Sequence, residues 1–215
     1  LATRGDFNRE GKYGYYCVMG PDEFQMMVHN NSYTNYMAKF TLEYTLDKIN
    51  EIKSEDPDAY KKVAEKVAFD ESEMDTWKNI KDNMILLYDD KTKLFEQHDG
   101  FFKLPHLDVD SIPISDFPLY DNWSYDRIYR NDMIKQPDVL MFMLLFISKF
   151  SQEQLKANYE YYEPCCIHES SLSPSVHSIL ASQLKKDDEA YDFFGFSTDG
   201  IYGVSSIFGT SLKSA

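Results

Sequence analysis

The sequence is short of cysteine, of basic charge and of long apolar runs, and each shortage removes a class of protein. Three cysteines in 215 residues, two of them adjacent at Cys165 and Cys166, cannot supply a disulfide framework. A reducing, cytoplasmic setting is therefore expected. Lys and Arg number 22 against 36 acids, a formal charge of -14, whereas phosphate backbones and anionic membranes are bound by cations. Neither a nucleic-acid nor a membrane partner is expected. The longest apolar stretch, Val139 to Ile147, lies between Asp138 and Lys149 and falls far short of the roughly 20 residues needed to cross a bilayer. It reads as a buried helix. Repeats and low-complexity tracts are absent. The chain begins at Leu1, and LATRGDFNREGKYG has neither a basic start nor an apolar signal stretch, which fits an internal piece of a longer protein.

Aromatic side chains are plentiful, with 16 Tyr and 15 Phe within a 43% hydrophobic chain, enough ring surface for a core and for a sugar-stacking wall. Tyr33, Tyr36, Met37, Phe40 and Tyr44 recur at helical spacing from Ser32, with Asn30, Asn31 or Ser32 as cap. A helix is expected around Tyr60 to Phe69. Ser72 opens another, with Asp75 completing a capping box and Met74, Trp77, Ile80, Met84 and Leu87 as its stripe. Between Leu94 and Asn131, Gly100, Pro105, Pro113 and Pro118 break any period. A connection of this length is usually functional or packed by its own side chains. Pro137 then starts a helix, buried all round, that runs to Phe150. Ser151 caps a short helix carrying Leu155, Tyr159 and Tyr162, and Ser173-Pro174 begins another through Val176, Ile179 and Leu180. No period-two strand stands out, so the expected class is all-α, two layers of helices with ordered loops.

The sharpest local feature is Met19-Gly20-Pro21-Asp22-Glu23-Phe24, a turn dipeptide followed by paired acids and a ring. A loop held by rigid helices is a usual place for a catalytic carboxyl group, and Phe24 and Tyr16 are expected to lower the local dielectric and raise its pKa. Composition alone reads Asp22 and Glu23 as helix-start or solvent charges rather than catalytic groups. Lys135 and Gln136 precede a helix whose Asp138 complements the positive dipole end. Ser170, Ser171 and Ser173 stand before a helix N-terminus, where hydroxyls cap or bind an anion. His168 and His177 beside Cys165 and Cys166 lack zinc-ligand spacing, so no metal is expected.

The stretch MGPDEFQMMVHNNSYTNYMAKFTLEYT resembles the catalytic-acid region of glycoside hydrolase family 65 phosphorylases, whose motif reads Gly-Pro-Asp/Asn-Glu-Tyr/Phe followed by Asn-Asn-x-Tyr-Thr-Asn. FEQHDGFF (95–102), IKQPDVLMF (134–142) and HESSLSPSVHSILA (168–181) resemble the same family in the same order. The resemblance implies part of an (α/α)6 barrel catalytic domain, truncated at both ends, in a parent that forms a homodimer. It implies inverting phosphorolysis of an α-glucosidic disaccharide, with maltose expected and trehalose, kojibiose or nigerose as sister substrates. Inorganic phosphate is a substrate, and no cofactor is implied. Glu23 takes the general-acid position. Lys135 and Gln136 take the pair lining the glucose and phosphate side, and His168, Ser170 and Ser171 approach the mouth of the site. Asn30, Asn31 and Asn35 hold the loop or reach a sugar hydroxyl. His29 departs from the family's Asn or Asp, and Cys166 stands where Thr is common.

The catalytic-domain piece is expected to cover 1–196, with 197–215 an unmatched Gly- and Ser-rich tail. An inverting hydrolase on the same barrel would need a second carboxylate to activate water, and an inactive fragment serving as an interaction module would need none.

Overall fold

A computed structural model describes residues 1–202. Helices dominate. Two hairpins of two-residue strands, β1 (Asp6–Phe7) with β2 (Tyr13–Gly14) and β3 (Tyr88–Asp89) with β4 (Leu94–Phe95), supply the sheet among the described residues. The helices are α1 (Ser32–Glu55), α2 (Pro57–Val67), α3 (Ser72–Asp82), α4 (Leu119–Asn122), α5 (Tyr125–Tyr129), α6 (Asp138–Leu145), α7 (Gln152–Tyr162), α8 (Ser173–Gln183) and α9 (Asp187–Tyr202). Helix α1 packs on α2, α3 and α6, and α8 packs on α6, α7 and α9. Among the described residues no helix is long and apolar enough to cross a membrane. Cys17 is exposed, Cys165 and Cys166 are buried, and all three are free thiols.

Caps fix several boundaries. Asn31 Oδ1 accepts from Thr34 N at 3.0 Å and starts α1. Ser151 and Gln154 form a full capping box at α7, each side chain satisfying the other's backbone N–H. The capping box expected at Ser72 does not form: Glu71 sits at the cap position, and Asp70 Oδ1 takes Ser72 N instead. Helix α6 stops at Leu145 rather than Phe150. Its end lets Phe146 and Phe150 turn back, so that both rings pack on Tyr36 at centroid distances of 5.1 and 5.8 Å. Nor is α6 buried all round, since Leu145 is 59% exposed.

Three clusters make the core. The largest gathers Phe95, Phe101, Leu140, Phe142, Tyr159, Tyr162 and Leu180, with Tyr36 stacked on Phe142 at 4.7 Å. A second, with Tyr13, Tyr15, Leu42 and Ile80, fastens the N-terminal hairpin to α1 and α3. The third closes the long connection on itself: Ile112, Leu119, Trp123 and Ile128 surround Phe24, with Met133 and Ile167. The Pro-broken stretch is therefore a packed layer under the Gly-Pro loop. Helix α9, not foreseen from the sequence, passes position 196 without a break, and residues 203–215 of the expected tail lie outside the described residues.

Deleting the Phe142 ring should cost about 3–5 kcal/mol of stability, because a close-packed core refills such a cavity only partly. Ser151→Ala, which removes one cap, should cost about 1 kcal/mol. Urea denaturation followed by circular dichroism measures both, and equal costs would contradict this division of the core.

Candidate active site

The Gly-Pro loop is held from below by Asp22. Its carboxylate is fully buried and accepts from the backbone N–H of Phe24 (3.1 Å) and Lys135 (3.0 Å), and from Gln97 Nε2 (2.8 Å). Asp138, also fully buried, accepts from Asp22 N at 2.7 Å and from Asn31 Nδ2 at 2.7 Å. Asp138 is thus both the acid in the first turn of α6 and a clamp between α1, α6 and the loop. Gly20 has to be glycine here, since a Cβ would collide with Asp138 Oδ2 and with the Asn31 amide. Burial pushes both carboxyl groups up, Asp22 to about 6, and the charge of Asp22 adds to the effect at Asp138.

So anchored, the loop turns the next side chain outward. Glu23 is half-exposed on a cleft of about 660 Å3 lined by Met19, Met26, Tyr120, Tyr125, Tyr129 and Lys135. Lys135 Nζ donates to Glu23 Oε2 at 2.5 Å, and Gln136 Nε2 lies 3.4 Å from the same oxygen. Glu23 N donates to Gln136 Oε1 at 3.1 Å, so Gln136 holds both backbone and side chain. Lys135 Nζ also lies 4.6 Å from the centre of the Tyr120 ring, a cation–π contact that orients the ammonium.

The expected electrostatics are reversed at Glu23. Its pKa is lowered, first by the Lys135 hydrogen bond, which outweighs its slight desolvation. Phe24 points away into the third core cluster, and Tyr16 packs against His29. Tyr120 and Tyr129 do face the acid, and burial together with the Glu23 charge raises both phenols and keeps them neutral.

The asparagines after the acid are structural. Asn30 Nδ2 donates to Asp99 at 2.5 Å, Asn31 caps α1 while binding Asp138, and Asn35 Nδ2 donates to Ile85 O at 2.9 Å. Behind the loop, His98 Nε2 meets Gln25 Oε1 at 3.0 Å, and Gln25 Nε2 donates to Asn131 O.

His168, Ser170 and Ser171 form a neighbouring group ahead of α8. A parallel bridge between Ile134 and Cys166 lays their segment beside the one carrying Lys135. His168 adopts a left-handed backbone (φ 56°), and its Nδ1 lies 3.1 Å from Ser173 Oγ. Ser170 Oγ accepts from Leu172 N, and Ser171 is exposed. His177 Nδ1 donates to Ser173 O at 2.7 Å, and burial lowers its pKa to about 4. Ligand-capable atoms of Cys166, His168 and His177 lie within 4.8 Å of one another, a proximity that linear spacing does not disclose. Burial pushes the Cys166 thiol up, so it stays protonated among these rings.

Tyr120, Tyr125 and Tyr129, the tyrosine wall of the cleft, are not among the residues expected at the site from the sequence. The wall's one signal is Tyr125 and Tyr129 four residues apart, and their rings stack at 5.6 Å on α5.

Four blocks of sequence, at 19–45, 95–102, 134–142 and 168–181, thus converge on one loop and its neighbour. The description of the family model that matches residues 2–203 is "Glycosyl hydrolase family 65 central catalytic domain". An α,α-trehalose phosphorylase of Thermoanaerobacter brockii is 46% identical over 183 residues, 85% of this chain and 24% of that protein. The maltose phosphorylase of Bacillus subtilis is 40% identical over 186 residues, 86% of this chain and 24% of that protein. A solved structure of a candidate kojibiose phosphorylase from the human microbiome superposes with a TM-score of 0.85 at 51% identity, covering 92% of this chain and 26% of that one. The chain belongs to glycoside hydrolase family 65, in its central catalytic domain, and spans about a quarter of the length of these relatives.

The buried carboxyl pair should be visible in stability against pH. A carboxyl group raised on folding contributes most below its unfolded pKa, and that contribution is lost as pH rises through the folded value, here about 6 for Asp22. His98 and His177, both lowered by burial, act in the opposite sense on acidification, so the comparison has to be differential. Asp138→Asn should gain melting temperature relative to the wild type as pH rises from about 4 to about 7. Parallel curves in calorimetry would show that the pair is not strained.

Proposed function

We propose that the intact parent of this chain catalyses inverting phosphorolysis of an α-glucosidic disaccharide, giving β-glucose 1-phosphate and a free sugar. The carrying observation is Glu23, presented to an aromatic-lined cleft by a buried clamp and bound by Lys135 and Gln136. Membership of the family and the phosphorylase names of the relatives support the reading. In it, the helices described here are part of an (α/α)6 barrel, and Glu23 protonates the glycosidic oxygen while phosphate attacks the anomeric carbon from the opposite face. Phosphate arrives already anionic, so no second carboxylate is needed to activate water.

Phosphate is a substrate in this scheme, and no metal or organic cofactor takes part. His168, Ser170 and Ser171 are assigned to phosphate and sugar at the mouth, where the N-terminus of α8 adds its backbone N–H groups. Tyr120, Tyr125 and Tyr129 offer faces on which a pyranose can stack. Maltose is the substrate expected from the segment after the acid, while identities of 46% to the trehalose phosphorylase and 51% to the candidate kojibiose phosphorylase support trehalose and kojibiose as alternatives. A panel of maltose, trehalose, kojibiose and nigerose with and without phosphate separates them. Turnover should require phosphate, and equal rates without it would make the parent a hydrolase. The isolated chain should give no detectable glucose 1-phosphate, because it spans about a quarter of the length of its phosphorylase relatives.

Glu23→Gln in the parent keeps the size of the side chain and removes its proton. Turnover should fall by about 10² to 10⁴ with a smaller change in KM. A glucosyl fluoride, whose leaving group needs little protonation, should recover part of the loss. Near-normal phosphorolysis by this variant would remove Glu23 from the acid role.

A further inference from the structure

The two oxygens of Glu23 have different surroundings. Oε2 receives both Lys135 Nζ and Gln136 Nε2, whereas among the described residues no donor reaches Oε1. A proton on this carboxyl group therefore belongs on Oε1, and the ammonium beside Oε2 opposes its arrival. A general acid held ionised by its neighbour is a paradox for one direction of the reaction only. Phosphorolysis starts from the acid form and ends with the carboxylate, while the reverse synthesis starts from the carboxylate, which must accept a proton from the acceptor hydroxyl.

We propose that Lys135 is a positioning residue that clamps Oε2 of Glu23 and balances the two directions, stabilising the carboxylate that phosphorolysis produces and synthesis consumes. This rests on the functional reading above. In phosphorolysis the Oε1 proton passes to the leaving glycosidic oxygen as the bond from the anomeric carbon to that oxygen breaks and the bond to phosphate forms. The electron pair left on Glu23 is met by the Lys135 ammonium. In synthesis the acceptor hydroxyl gives its proton to Oε1, its oxygen bonds to the anomeric carbon, and phosphate departs. Lys135 makes Glu23 a stronger acid and at the same time thins the protonated population, the trade that general-acid catalysis sets between driving force and occupancy.

Among the described residues Lys135 is the cation that meets the Glu23 carboxylate, with Gln136 as a neutral second donor. Facing Glu23 from the long connection are Tyr120, Tyr125 and Tyr129, with Tyr120 and Tyr129 held neutral. Beneath it, Asp22 is fully buried and occupied by backbone N–H groups. From the segment before α8, Glu169 feels Lys135 but spends Oε1 on Leu119 N at 2.7 Å. Lys135 itself is fixed through its backbone, N–H to Asp22, and by the Tyr120 ring over its ammonium. Substitution of its side chain therefore leaves the segment in place.

The test compares wild type, Lys135→Met, Lys135→Gln and Lys135→Arg. In the parent enzyme, the alkaline limb of kcat/KM for phosphorolysis and the acidic limb for synthesis should both move to higher pH in Lys135→Met and Lys135→Gln, by about one pH unit. The acid-side plateau of phosphorolysis should fall. Lys135→Arg should restore the limbs, and the titration of phosphate itself cancels between variants. A merely structural role would lower both rates and leave the limbs where they are. In the present chain, the carbon-13 signal of the Glu23 carboxyl group should titrate below an ordinary glutamate and rise in Lys135→Met, an observation independent of turnover. Unmoved limbs beside measurable phosphorolysis overturn the proposal and leave the functional reading intact. If the parent shows no phosphate-dependent turnover, that reading fails, and a carboxyl titration that is the same in wild type and Lys135→Met disposes of the clamp as well.

Discussion

A carboxylate with no exposure to water is costly unless its lone pairs are filled, and the arrangement around Asp22 follows from filling them. Its acceptors take N–H groups from Phe24, Lys135 and Gln97, which lie on three separate stretches of chain. Asp138 then has to approach Asp22 N, which draws α6 and the Asn31 cap of α1 to the same point. Once those contacts exist, Glu23 has one direction left, into the cleft, and Phe24 has the other, into the core. The Gly-Pro turn, the paired acids and the ring are parts of one device in which the buried member positions the exposed one.

Much of this order could be read from the sequence where a local rule was at work. The helix expected from the Tyr33 to Tyr44 spacing, its cap among Asn30, Asn31 and Ser32, and the Ser151 cap are decided by residues within a few positions of one another, and each formed, although the buried face of α1 is Asn35, Ala38 and Leu42 rather than the aromatic stripe. The failures are non-local. Asp22 looks like a helix-start or solvent charge and Asp138 like a partner of the helix dipole, because nothing within four residues of either betrays that they meet. The end of α6 was misplaced for the same reason, since it is fixed by Phe146 and Phe150 packing on Tyr36 of a distant helix. At Ser72 the local rule itself lost to a nearer competitor, Asp70.

The meeting of Glu23, Lys135 and Gln136 was legible through motif, and its electrostatics were not. Glu23, Lys135 and Gln136 were named together from the family pattern, but their contact on a single carboxylate oxygen, and the lowering it imposes on the acid, were not foreseen. The expected desolvation by Phe24 and Tyr16 assumed that aromatic neighbours in sequence are neighbours in space. Here the rings that face the acid, Tyr120 and Tyr129, come from about a hundred residues further along.

The separation between Glu23 and Lys135 also bears on how the molecule assembles. Their hydrogen bond joins positions 112 residues apart, whereas the Ser151 cap joins positions three apart. Closing a long loop loses more chain entropy than closing a short one, and non-local contacts slow folding. Helices such as α7 can therefore flicker into existence on their own, but the acid has no clamp until both ends of that loop have docked. The chemistry of this cleft is a property of the finished topology, and a partly folded chain carries Glu23 as an ordinary surface glutamate.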